Sequence, residues 1–208
     1  MTILDRERKY LWLLWFAAPL FMIPFFVSYE IKKPPVFEIV LIAVICAIAV
    51  ASRAAFIFVP NFKPILAFII IAGICFGANA GFMCGAISML VSNMMFGQGP
   101  WTLWQMLACG IIGCLSGLLA KTPIFKYKPT LIIYGITCGF LYGFIADIWT
   151  ILSQGQAVNL KIIISTYALA IYFNILLAAA TAIFLVMFMG MFIKKIDRLK
   201  NKFVSENV

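Results

Sequence analysis

The sequence predicts an all-α fold, a polytopic bundle of transmembrane helices. Three observations carry that prediction. Hydrophobic residues make up 65% of the 208 positions and charged residues only 11%, against roughly 45–50% and about 25% in an ordinary soluble domain. The chain therefore has too little polar surface to face water all round. Its apolar residues fall in runs close to the ~20 residues that a helix needs to cross about 30 Å of hydrocarbon. The runs are continuous and do not alternate with period two, which argues against a transmembrane β-barrel.

Each element follows in order. A short charged tail, residues 1–9, precedes an apolar run over 10–29. That run is long and lacks a small-residue cleavage site behind it, so a secretory signal peptide does not explain it. Pro19 and Pro24 predict a kink or break inside it. Pro34-Pro35 marks the boundary to the next segment, 36–59, which stops at Pro60-Asn61-Phe62-Lys63-Pro64. The stretch 65–96 is too long for one perpendicular helix. Gly77-Ala78-Asn79-Ala80-Gly81 supplies a turn, giving short helices over about 65–78 and 81–96. Gly97-Gln98-Gly99-Pro100 is a loop. Helices follow over 102–120, 130–152 and 164–193, the last emerging beyond the hydrocarbon, and a basic tail begins at Lys194. The organisation is an N-terminal tail, extra segment and linker (1–36), a six-helix membrane core (37–195) and a basic tail (196–208).

Seven segments placed alternately across the bilayer put Lys32, Lys33, Lys121, Lys126, Lys128, Lys194, Lys195, Arg198, Lys200 and Lys202 on one side. The other side receives Arg6, Arg8, Lys9, Lys63 and Lys161. The first side is the cytoplasm by the positive-inside rule. The net charge of +9 reads as membrane topology and headgroup contact, not as nucleic-acid binding.

Absences narrow the chemistry. The chain has no histidine, which removes Ser-His proteolysis and nearly all zinc hydrolases. No G-x-x-x-x-G-K-[ST] stretch exists, so no P-loop is present. The six cysteines lie in apolar runs without a C-x-x-C pair and read as small hydrophobes, with no disulfide framework or metal site suggested. No cofactor is expected. Asp147 is the one acid well inside a segment, fewer than an ion relay usually uses.

Polar and aromatic residues gather toward the outer face. Arg53 lies near the outer end of its helix, with Asn61 and Lys63 in the loop beyond. Asn93, Gln98, Trp101, Trp104 and Gln105 surround the loop at 97–100. Asp147, Trp149, Gln154 and Gln156 sit near the next outer loop. Three distant regions thus bring amides, indoles and a cation together, the composition of a ligand pocket. Interfacial anchoring explains Trp101 equally well. Small residues recur every fourth position in two uninterrupted stripes, Ala43, Ala47, Ala51 and Ala55, and Gly135, Gly139 and Gly143. Gly73, Gly77, Gly81 and Gly85 share the spacing across the turn. Such stripes let helices approach closely, whether inside the bundle or on a docking partner.

Residues 37–195 resemble the substrate-binding S components of energy-coupling factor (ECF) vitamin importers. The resemblance rests on Ala43-x-x-x-Ala47, on Ser52-Arg53-Ala54-Ala55-Phe56 followed by the Pro60–Pro64 loop, and on the run from Ser92 to Met106 containing Gly-Gln-Gly-Pro-Trp-Thr. That run is similar to the cobalamin-type subgroup, although Leu103 stands where a proline is common, and the first segment is extra to the six-helix core. The resemblance implies a non-enzymatic subunit of the bacterial cell membrane. Such a subunit captures a vitamin from outside and docks on one coupling membrane subunit with two ATPase subunits. It implies Ala43, Ala47 and Ala51 as the docking stripe. Cobalamin or a related corrinoid is the first expected substrate. The alternatives are another vitamin or precursor (a pterin, a thiamine precursor, a queuosine-type base), a lipid-acting enzyme using Asp147, or an assembly protein.

Overall fold

The computed structural model describes residues 19–153 and 159–205, all of whose regular structure is helical. The tail at 1–9 and the first part of the apolar run at 10–18 lie outside them, as do Gln154 and Gln156. The helices are α1 (Pro19–Ile31), α2 (Val36–Ala55), α3 (Ile65–Phe76), α4 (Ala78–Phe96), α5 (Trp101–Leu118), α6 (Lys128–Ser153) and α7 (Leu160–Ser205). Five of them, α2, α4, α5, α6 and α7, are long and apolar enough to cross a bilayer.

Prolines and glycines set the boundaries. Pro35, Pro64 and Pro100 each stand immediately before a helix, where a fixed φ and a missing N–H cost little. Gly77 alone turns the chain between α3 and α4, at φ 90° and ψ 179°, a backbone that favours glycine. The expected five-residue turn is therefore a single residue, and α4 starts three positions earlier than 81. In the described part of the first run, the helix passes through Pro24 unbroken. Its inner side packs on α4: Phe25 stacks on Phe82 at 4.0 Å between centroids, and Asn79 Nδ2 donates to Ser28 Oγ at 2.6 Å.

The short helix α3 is the axis of the bundle. Its 12 residues reach only about 18 Å, and Ile65 through Gly73 are all buried. A helix apolar on every face belongs inside. Around it, Gly73, Gly81 and Gly113 meet backbone to backbone. A Cβ on Gly73 or Gly81 would strike the Gly113 carbonyl, and one on Gly85 would strike Cys109. On the other flank, Gly135, Gly139 and Gly143 of α6 face Ala182, Ala178 and Asn174 of α7.

At 46 residues, α7 is roughly 69 Å long, more than twice the hydrocarbon thickness. It continues as helix through 194–205, so the basic tail is its extension. There Lys200 Nζ donates to the Cys75 carbonyl and lies 4.5 Å from the Phe76 ring centroid. It thereby supplies a cation at the C-terminus of α3.

Candidate ligand cavity and its family

The site begins with one buried cation. Arg53 occupies the last turn of α2 and is 9% exposed. An unpaired charge there would cost several kcal/mol. Its Nη1 donates to Asn93 Oδ1 at 2.7 Å, to Ser92 Oγ at 2.9 Å and to the Met89 sulfur at 3.2 Å, all neutral. Asn93, 1% exposed, is the hub. Its Nδ2 donates to Gln105 Oε1 at 2.7 Å and to Thr102 Oγ1 at 3.1 Å. Thr102 Oγ1 in turn accepts the Gly99 N–H at 3.3 Å. One amide thus ties α2, α4, α5 and the loop at 97–100 together.

Beside this network lies a cavity of about 460 Å³. Its walls bring together Arg53, Asn61, Trp101, Gln105, Asp147 and Trp149, six of the nine ligand positions expected from sequence. The other three are elsewhere. Asn93 stands behind the wall as the partner of Arg53 and Gln105. Gln98 is exposed, and its Nε2 donates to the Leu90 carbonyl at 3.0 Å. Trp104 is half-buried outside the cavity lining.

Sequence reasoning missed Tyr142 and Asn174, and it gathered Lys63 with the outer polar cluster without counting it as a ligand position. Lys63, Tyr142 and Asn174 also line the cavity. Asn174 Nδ2 donates to Asp147 Oδ2 at 3.3 Å, and Gly143 leaves the space that its amide fills. A signal existed: Asn174 is the one amide in the apolar run 160–193, and such a group needs a partner away from water. Lys63 lies in the connection between α2 and α3, outside the spanning segments. Burial, and then the charge of Arg53, hold its ammonium below the usual lysine range.

The alanine stripe is a separate region. Ala43, Ala47, Ala51 and Ala55 are exposed and line an apolar groove of about 830 Å³ on α2 and α4, floored by Cys46 and Val50 and walled by Met83, Ile87 and Met95. The groove shares no lining residue with the cavity.

Residues 35–196 match the family of ECF-type riboflavin transporter S components. The chain belongs to that family. It is a membrane-embedded, multi-pass, substrate-binding subunit of an ECF vitamin transporter and not an enzyme, with a vitamin as substrate and an ECF module as partner. No solved structure matches it. The family is riboflavin-type, not the cobalamin-type subgroup suggested by the run from Ser92 to Met106. Part of that run is structural, while its Trp101 and Gln105 line the cavity. Ser92, Asn93, Thr102 and Gln105 act in this S component as partners of Arg53 and of each other. Among the described residues no cluster of three or more His, Cys, Asp or Glu side chains could hold a metal.

Proposed function

We propose that this S component captures a flavin, riboflavin or a close derivative, in the cavity between Arg53 and Asp147. The observation that carries the reading is the cavity itself, about 460 Å³, within the roughly 300–1,000 Å³ of small-ligand sites. Indole and phenol rings at Trp101, Trp149 and Tyr142 suit a flat tricyclic ring. Asn61, Gln105, Asp147 and Asn174 offer donors and acceptors for an imide edge and a polyol chain. A corrinoid is far bulkier and would have to leave most of its body outside.

The cavity lies at the end of the bundle that carries the connections at 56–64 and 97–100, the last turn of α6 and the first turn of α7. The opposite end carries the larger share of lysine and arginine, so positive-inside topology turns the cavity to the exterior. Ligand capture from outside follows, with release after Ala43, Ala47 and Ala51 dock on the coupling membrane subunit of a module energised by two ATPase subunits.

The test is to purify the full chain from cells, identify any co-purifying vitamin by mass spectrometry, and titrate the emptied protein with riboflavin and with cobalamin. Saturable quenching of flavin fluorescence supports the reading. Stoichiometric cobalamin binding without flavin binding overturns it.

A further inference from the structure

Two cations share one wall of the cavity, and neither has an ion-pair partner among the described residues. Arg53 Cζ lies 4.7 Å and Lys63 Nζ 5.6 Å from the centroid of the same Phe96 ring. A ring face attracts each cation but neutralises neither. The three hydrogen-bond acceptors of Arg53 are neutral, and all are reached through Nη1. Its Nε and Nη2 have no hydrogen-bond partner among the described residues. Among the described residues every fully buried side-chain polar atom does have one, so these two donors keep accessible surface, and Arg53 borders the cavity. Asp147, the one carboxylate among the described lining residues, is engaged by Asn174 on the α6–α7 wall.

We propose that Arg53 and Lys63 form an anion subsite, and that the flavin held here carries a negative group, foremost a phosphate ester on its polyol chain. This rests on the flavin reading above and narrows it. A planar guanidinium with free donors and a mobile ammonium together match phosphate oxygens. Two neighbouring cations repel each other in the empty site, and an anion between them relieves that repulsion and partners the free donors. Uncharged riboflavin can accept hydrogen bonds from the same two cations, but it brings no negative charge to offset theirs.

The experiment titrates the full-length protein in detergent with riboflavin and with riboflavin 5′-phosphate, in low and high salt. The phosphate ester binds roughly tenfold tighter at low salt, the equivalent of one good charge-assisted hydrogen bond, and the margin shrinks as salt rises. Lys63→Gln weakens the ester by roughly tenfold more than it weakens riboflavin. Lys63 lies outside the Asn93 network, so this variant tests the subsite even where Arg53→Gln fails to fold. Riboflavin binding as tightly as its ester, or Lys63→Gln weakening both by the same factor, overturns the anion subsite while leaving the flavin reading intact. Neither flavin binding overturns both.

Discussion

The alanine stripe of α2 and the glycine stripe of α6 have the same four-residue spacing and opposite surroundings. Gly135, Gly139 and Gly143 meet Ala182, Ala178 and Asn174 so closely that an added Cβ would collide with α7. Ala43, Ala47 and Ala51 stay exposed among the described residues, along an apolar groove that α4 walls on one side. Spacing specifies a smooth helix face. Whether that face closes depends on a complementary smooth face elsewhere in the chain. For the glycines α7 supplies it; for the alanines no described helix closes over the stripe.

The largest expected effect probes the closed faces. Gly113→Leu or Gly139→Leu forces apart backbones already in contact, so the protein loses its cooperative thermal unfolding or its yield in detergent. The cost is about 1–3 kcal/mol or more. Ala47→Leu, at the open face, leaves the melting temperature where it was. Equal destabilisation at both stripes would break the comparison.

Next comes Ala47→Trp, which fills the groove. Vitamin uptake by cells falls to background, while vitamin binding by the purified chain is retained. Lost binding with intact assembly would make the stripe a packing face after all. Asn93→Ala is smaller and of another kind. It removes the acceptor of Arg53 and the donor to Thr102 and Gln105, leaving buried groups unpaired at about 1–3 kcal/mol. Both the melting temperature and ligand affinity fall, while docking on the module persists in pull-down. The smallest effect is Gln98→Ala. Its amide serves the Leu90 carbonyl at the surface, so stability moves by about 0.5 kcal/mol or less and ligand affinity by about twofold at most.

The fold was largely legible because hydrophobic runs, prolines and glycines act locally. Pro60 and Pro64, Gly97 and Pro100, and the run at 130–152 marked real boundaries to within a few residues. The turn is one residue and not the five of 77–81, because composition does not show that one glycine at positive φ suffices. The helix α7 runs past 193 because lysines in water remain good helix formers, and Lys200 finds its partner at Cys75 only in three dimensions.

The site was legible by type and less so by role. Arg53 and Asp147 stood out because charge in an apolar run is costly. Asn93 and Gln98 look alike in sequence, three residues before and two residues after the end of α4. One faces inward to a cation, and the other turns out to a backbone carbonyl. Lys63 reads as a loop charge in the sequence, and the fold sets it over Phe96 beside Arg53.

The most direct test of the central claim is a count of riboflavin bound per chain by the purified protein alone, measured by fluorescence titration in the absence of any partner subunit or ATP. The account predicts saturation at one flavin per chain. Binding that appears only when the energising module is present, or no flavin binding at all, would contradict it.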